Sequence, residues 1–179
     1  ALFPWLTVYE NIAFGPKHAG MGSKEIKRIT DKFTEMVGLT EFVHHYPSEL
    51  SGGMKQRVAI ARVLANDTDI LLMDEPFGAL DALTRAKLQE ELLDIWRQTN
   101  LTVIFVTHSV EEAVVLADRI VVMSAGPGRV DCDMTIDLPR PRDVSSEDFN
   151  AIRRTVAQRL SSNLAPGRRL KVSFICRAS

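Results

Sequence analysis

The sequence predicts an α/β fold built around a parallel sheet. Three short apolar runs, at residues 70–73, 102–106 and 120–123, have the length and composition of strands that are buried on both faces. Segments with helical periodicity, at residues 82–98 and 110–116, separate these runs. Because strands that alternate with helices are joined by right-handed crossovers, we expect the three strands to run in the same direction.

The composition is that of an ordinary globular protein. The chain has 179 residues, of which 45% are hydrophobic and 25% charged, and its formal net charge of −1 disfavours a role in binding DNA or RNA. The two cysteines, Cys132 and Cys176, form no metal-binding or redox spacing and are expected to be free thiols. No apolar run reaches the roughly 18 residues that span a bilayer, so we expect any membrane role to depend on a partner protein.

Two helices are predicted before the first strand. Residues 17–22 lack apolar runs and predict a loop, after which Ser23 is expected to cap a helix that ends at Gly38. The second helix is predicted from Gly53 to about Asn66.

The pattern weakens after the third strand. Residues 131–138 alternate like an edge strand, and residues 139–142 (PRPR) predict an extended break. Residues 149–160 predict a helix, whereas residues 165–179 predict no particular structure.

The most specific string is LSGGMKQR at residues 50–57, where the second helix begins. Gly52 and Gly53 allow close approach of a ligand to the backbone, and the amino end of a helix favours an anion. Ser-Gly-Gly alone would more often be a helix cap and a turn. The whole string, with VAIAR at residues 58–62, resembles the signature motif of ATP-binding cassette (ABC) ATPases.

Two acids end the first strand, in ILLMDEP at residues 70–76. An acid at the tip of a buried strand can hold hydrated Mg²⁺, and a neighbouring acid can deprotonate a water molecule, although paired acids often merely end a strand. The string resembles the Walker B motif of the same family, which implies that Asp74 serves the metal and Glu75 is the general base. The next residues, FGALD at 77–81, resemble the D-loop and imply that Asp81 lies near a second subunit.

A histidine, His108, follows the second strand. A lone histidine there would more often be an ordinary surface residue, which is our interpretation of His18, His44 and His45. His108 differs because it follows the other motifs in family order and precedes SVEEA at residues 109–113. It therefore resembles the family's switch histidine, which contacts the terminal phosphate of ATP.

The resemblance implies a partial P-loop NTPase (RecA-like) parallel sheet with an ABC helical subdomain. It divides the chain into a segment after the Q-loop (1–15), a helical subdomain with the signature motif (16–66), a RecA-like lobe (67–138), and a C-terminal helix and tail (139–179). No Gly-x-x-x-x-Gly-Lys-Ser/Thr string occurs, so the Walker A loop that cradles phosphate is absent from these residues.

Residues 2–12 resemble the segment after the Q-loop glutamine, which would lie just before Ala1. We therefore expect the parent protein to hydrolyse ATP with Mg²⁺, and this chain alone to be inactive and poorly soluble. Whether the missing front is a fragment artefact or a true truncation stays open, as does whether the tail at 165–179 is native.

The resemblance also implies partners and a location. In the family, ATP lies between two subunits, so Ser51, Gly52, Gly53 and Gln56 would contact the nucleotide of a second copy in a homodimer. A transmembrane permease, fed by a solute-binding protein, would place the subunit on the cytoplasmic face of the membrane. Residues 2–5 and the helix after them are candidates for the permease contact, although ordinary packing of Phe3 and Trp5 explains them equally well.

Three short strings resemble the nitrate, sulfonate and taurine importer branch. They are Pro4-Trp5, SAGPGR at residues 124–129 and DLPRPRD at residues 137–143. Two rival interpretations are an ABC ATPase outside transport, acting in DNA repair or translation, and a non-catalytic subunit that only completes a partner's site. The retention of Glu75 and His108 argues against the second.

Overall fold

The computed structural model describes residues 2–78, 80–99, 101–124, 128–162 and 171–177. The helices within these ranges are α1 (Val8–His18), α2 (Ser23–Met36), α3 (Gly52–Leu64), α4 (Ala82–Arg97), α5 (Val110–Leu116) and α6 (Glu147–Ser162). The strands are β1 (Ile70–Asp74), β2 (Thr102–Thr107), β3 (Arg119–Met123), β4 (Val130–Thr135) and β5 (Lys171–Arg177). Short 3₁₀ turns lie at Thr40–Phe42 and Pro47–Glu49.

The chain divides into two compact units. The first comprises Ala1–Asp69 and Leu80–Gln98, and the second comprises Ile70–Ala79 and Thr99–Ser179. The first unit is helical, and the second contains the sheet with α5 and α6. The four segments predicted from the sequence stay a prediction.

Helices α1, α2 and α3 pack against one another in the first unit. A capping box begins α1, in which Thr7 accepts from the amide of Glu10 while the Glu10 carboxylate accepts from the amide of Thr7. Asn11 is fully buried, and its side chain bonds the backbone of Phe3 and Leu6. These contacts fix the segment that precedes α1. The buried apolar side chains of α1 and α3 include Val8, Ile12, Ala13, Val58, Ala61 and Leu64, whereas α2 buries Thr30 and Thr34.

Two boundary predictions in this unit are wrong in detail. Helix α1 continues through Pro16 to His18, so the predicted loop begins later than expected. Ser23 is the first residue of α2 rather than its cap, because Gly22 takes the N-cap position and supplies no side-chain hydrogen bond. The predicted stop is confirmed: α2 ends at Met36, and Gly38 follows with a φ of 64°, which suits glycine.

The second unit contains one sheet with the order β1-β2-β5-β3-β4. The parallel pairing of β1 with β2 is confirmed, with Asp74 opposite Val106. Strand β3 is separated from β2 by β5, which runs antiparallel to both, in a stretch for which the sequence predicted nothing. The predicted edge strand is confirmed as β4, which pairs antiparallel with β3.

The predicted burial of both faces is wrong for β1. Leu71 and Met73 are buried, whereas Ile70 is 52% exposed and Leu72 is 72% exposed. A continuous apolar run indicates a strand but not which of its faces the rest of the chain covers. Among the described residues, only one face of β1 is covered.

The helices in the described part of the chain include none with both the length and the apolar character needed to cross a membrane.

Candidate functional site

Ser51 caps α3, as its simpler interpretation predicted. Its backbone is extended, and its hydroxyl oxygen accepts from the amide of Met54 at 3.2 Å. A serine hydroxyl that accepts one hydrogen bond still has its own proton to donate. Because Ser51 and Gly52 are exposed, the cap leaves a polar group and a helix amino end open to a ligand.

The two glycines of the signature string lie close to neighbouring leucines. A Cβ atom on Gly53 would lie 3.3 Å from Leu88 Cδ1, and one on Gly52 would lie 3.4 Å from Leu80 Cδ2. Packing within the unit therefore gives a reason for small residues here, in addition to any approach of a ligand. Gln56 is half-buried and lines a groove of about 520 Å³ together with Leu2, Pro4, Pro47, Ser48, Gly52, Lys55 and Ala59.

Arg57 is a residue of the signature string to which the sequence assigned no role. Its guanidinium donates to the carbonyl of Val37 at 3.0 Å, where α2 ends. Its Nε lies 3.5 Å from Oε2 of Glu91 on α4. Arg57 therefore ties α3 to two other helices, and only the folded chain shows this because its partners are distant in sequence.

Asp81 has a local structural role as the N-cap of α4. Its carboxylate accepts from the amide of Thr84 at 3.0 Å. Hydrogen bonds from the Thr84 side chain and, to a smaller extent, from its amide hold the pKa of the Asp81 carboxyl below its usual value, because they favour the charged form. The predicted contact of Asp81 with a second subunit stays a prediction.

The end of β1 has an unusual backbone. Glu75 has a φ of 47°, a left-handed conformation that side chains other than glycine rarely adopt. Its amide donates to the carbonyl of Val106 at 2.8 Å, and its carbonyl accepts from Gly78 at 3.2 Å. Phe77 then turns inward and packs against Phe105 with 5.5 Å between ring centroids. These contacts fix the turn that presents Asp74 and Glu75 at the surface.

The structure brings Glu75 and His108 together, as their positions at the ends of adjacent parallel strands predicted. Oε2 of Glu75 lies 3.5 Å from Nδ1 of His108. The Glu75 side chain is 39% exposed and that of His108 is 62% exposed, so both can reach a bound molecule. A carboxylate that can accept a proton and an imidazole that can donate a hydrogen bond therefore share one edge of the sheet.

The donor set at this edge fits Mg²⁺ bound together with phosphates. Asp74 supplies an exposed carboxylate next to Glu75. The described residues contain no group of three or more His, Cys, Asp or Glu side chains that could hold a metal ion by themselves. Mg²⁺ commonly takes one or two carboxylates and completes its shell with water and substrate phosphates, so this edge suits it.

The predicted site residues fall into two sets. Asp74, Glu75 and His108 belong to the second unit, and the remaining predicted residues, which are Ser51, Gly52, Gly53, Gln56 and Asp81, belong to the first. Thr107, Ser109 and Glu112 were not predicted as site residues, although they form a connected hydrogen-bond group around His108. The only sequence signal was that SVEEA follows the histidine.

Comparison with known proteins agrees with these motifs. Residues 1–78 match the model of the family described as ABC transporter. The chain is 54% identical over 159 residues to a putative ATP-binding protein of Brucella abortus, and 56% over 155 residues to an uncharacterized ABC transporter ATP-binding protein of Methanocaldococcus jannaschii. It is 52% identical over 157 residues to the aliphatic sulfonates import ATP-binding protein SsuB of Bacillus cereus.

The alignments cover most of this chain but only part of the relatives. They include 87%, 87% and 88% of the chain, and 61%, 58% and 61% of the respective relatives. The chain thus spans about three fifths of the curated relatives that it matches. Its mixed architecture, with β1 and β2 parallel and α5 and α6 in contact with the sheet, is that of part of a P-loop NTPase fold. The chain belongs to the family of ABC transporter ATP-binding proteins.

Proposed function

We propose that the parent protein of this chain is the ATP-hydrolysing subunit of an ABC importer. The observation that carries the proposal is the 3.5 Å contact between Glu75 and His108, with Asp74 adjacent, at the shared edge of β1 and β2. Catalysis of phosphoryl transfer depends mainly on positioning and electrostatics, and this edge positions a carboxylate for a metal ion, a base and a hydrogen-bond donor.

Each residue at this edge has a distinct role in the proposed reaction. Glu75 orients and deprotonates the attacking water. The backbone hydrogen bonds of Glu75 to Val106 and Gly78 keep its carboxylate in place. His108 donates a hydrogen bond from Nε2 towards the terminal phosphate, while its Nδ1 lies 3.5 Å from Oε2 of Glu75. Asp74 would hold Mg²⁺, which supplies neutralisation of the phosphate charge when it is bound.

The signature residues serve a different nucleotide in this proposal. Ser51 and Gly53 donate to the phosphate of ATP held by a second copy of the subunit, and Gln56 and Asp81 lie nearby in the same interface. The exposed amino end of α3 supports this role, since it offers a hydroxyl and a positive helix end. The 179 residues contain no Walker A string, so we expect this chain alone not to hydrolyse ATP.

Glu75→Gln in the full-length protein tests the proposed chemistry. Because the amide cannot take the proton of water, ATPase activity should fall about 10²- to 10⁴-fold while ATP binding persists. Glu111→Gln, which changes an exposed acid on α5, is the matched control and should retain activity. Wild-type protein that binds ATP without hydrolysing it would favour a non-catalytic subunit instead.

We also propose that Trp5 lies in the contact with a membrane permease. Trp5 is 70% exposed, although the segment around it is held by Asn11. Beside it, Phe3 and Phe14 pack 4.5 Å apart and line a groove of about 500 Å³. A fixed backbone that exposes a tryptophan next to an apolar groove suits a binding surface.

Trp5→Ala should weaken co-purification of the permease with the full-length subunit while leaving its fold unchanged. Leu83→Ala removes another exposed side chain, 83% exposed on α4, and should not affect co-purification. Equal co-purification of the permease with both variants would show that Trp5 is not part of the interface.

The transported solute and the setting are inferred from the relatives. One relative is named as an aliphatic sulfonates import protein, and the strings at residues 4–5 and 137–143 resemble that branch. The remaining string is SAGPGR at residues 124–129, of which residues 125–127 lie outside the described residues. We propose import of a sulfonate, taurine or nitrate delivered by a solute-binding protein, with the subunit on the cytoplasmic face of the membrane. Growth on each compound as sole sulfur or nitrogen source, with and without the gene, would identify the solute.

A further inference from the structure

A closed group of hydrogen bonds surrounds the backbone of His108. The hydroxyl of Thr107 donates to Oε2 of Glu112 at 2.6 Å, and the amide of Ser109 donates to the same hydroxyl oxygen at 3.0 Å. The amide of Glu112 in turn donates to the hydroxyl of Ser109 at 3.3 Å. The residues on both sides of His108 are therefore tied to one another and to the first turn of α5.

Two members of this group are buried, so their hydrogen bonds are hard to replace with bonds to water. Thr107 is 2% exposed and Glu112 is 4% exposed, so neither can exchange its partner for water without opening the structure. A hydrogen bond to a buried carboxylate is stronger than a neutral one, and its loss leaves a buried charge without that partner. The group therefore holds its geometry better than an exposed turn would.

His108 itself has little packing to fix it. Its side chain is 62% exposed, in contrast to its buried neighbours. The position of the imidazole beside Glu75 consequently depends on the backbone at residues 107–109. Displacement of a catalytic group by about 1 Å can cost on the order of 10²-fold in rate.

The other end of α5 is also held. Arg142 donates to the carbonyls of Val114 at 2.6 Å and Ala117 at 2.7 Å, and Arg140 donates to that of Leu116 at 2.6 Å. A seven-residue helix restrained at both ends cannot easily shift relative to the strand that precedes it. The Thr107–Glu112 hydrogen bond then transmits this fixed position to His108.

We propose that Thr107 and Glu112 are positioning residues that hold His108 beside Glu75. The proposal rests on the proposed function, because the contact between Glu75 and His108 matters for rate only if this edge hydrolyses ATP. Neither residue touches the reacting atoms.

Two substitutions of Thr107 in the full-length protein distinguish the effect of its hydroxyl from the effect of its side-chain volume. Thr107→Val is nearly isosteric but cannot donate to Glu112 or accept from Ser109, so kcat for ATP should fall about 10- to 100-fold with KM unchanged. Thr107→Ser retains the hydroxyl and should keep kcat within about threefold of wild type. Glu112→Gln should do the same, because its amide oxygen can still accept the hydrogen bond from Thr107. Equal kcat in the valine and serine variants would overturn the proposal.

A second background tests whether the effect acts through His108. In His108→Ala protein, Thr107→Val should cause little further loss of kcat, because the group to be positioned is gone. A loss as large as in the wild-type background would mean that Thr107 serves general stability instead.

An NMR measurement keeps this inference separate from the ATPase activity. In Thr107→Val protein the Ser109 amide should lose protection from hydrogen exchange, and the His108 imidazole resonances should shift, with His18 and His44 unchanged as internal controls. These changes without any wild-type ATPase activity would overturn the proposed function but preserve the positioning. Normal activity with an unchanged His108 signal in the valine variant would overturn the positioning alone.

Discussion

At the scale of single residues, Ser51 combines a structural and a proposed chemical role in one hydroxyl. Its oxygen caps α3 through the Met54 amide, and its proton stays available for a ligand. The simple and the functional interpretations of Ser-Gly-Gly are therefore compatible, because they use different parts of the same group.

Substitutions at Ser51 should separate these roles. Ser51→Ala loses the cap and should lower the free energy of unfolding by about 1 kcal/mol. Ser51→Asp keeps an oxygen acceptor at the cap and should be within about 0.5 kcal/mol of wild type, yet it brings negative charge to the phosphate and should abolish ATP hydrolysis by the full-length protein. Urea unfolding and ATPase assays check the two effects. An aspartate variant with wild-type ATPase activity would contradict the role in phosphate contact.

At the scale of elements, the PRPR segment has a role that its extended character did not reveal. Arg142 donates to Val114 and Ala117 on one side and to Leu138 at 3.0 Å on the other. The last carbonyls of a helix have no partner within the helix, so a planar guanidinium that reaches several of them is an effective carboxyl-end cap.

Arg142→Lys should destabilise the second unit although it preserves the charge. A lysine cannot donate to carbonyls on both sides at once. The free energy of unfolding should therefore fall by about 2 kcal/mol, which is typical of a hydrogen bond to a charged group. Arg154→Lys on the exposed face of α6 is the control and should change the free energy of unfolding by less than about 0.5 kcal/mol. Equal midpoints of urea unfolding for the two variants would contradict this cap.

At the scale of the whole molecule, β1 presents an exposed apolar face. Ile70 and Leu72 point to this face, and β1 lies at the edge of the sheet in the order found here. An apolar edge strand promotes association with other chains. This feature supplies a structural reason for the poor solubility expected of the 179-residue chain.

Replacing both side chains should reduce self-association of this chain. Ile70→Thr with Leu72→Thr keeps the strand propensity while making the face polar, so sedimentation should show less concentration-dependent association. Val130→Thr on β4, at the other edge, removes a side chain that is 62% exposed and is the matched control. If the double variant associates as strongly as the original chain, self-association occurs through a different surface.

The sequence by itself determined the motifs, most element boundaries and the shared edge of Glu75 and His108. These follow from local patterns and from one rule of topology, that consecutive parallel strands end at the same side of a sheet. Only the tertiary structure decided which face of β1 is covered, that β5 lies between β2 and β3, and that Glu112, Arg57 and Arg142 hold other elements in place. Strand order and the covering of a face depend on contacts between distant parts of the chain. The spacing of apolar residues along the sequence gives no information about polar contacts such as these.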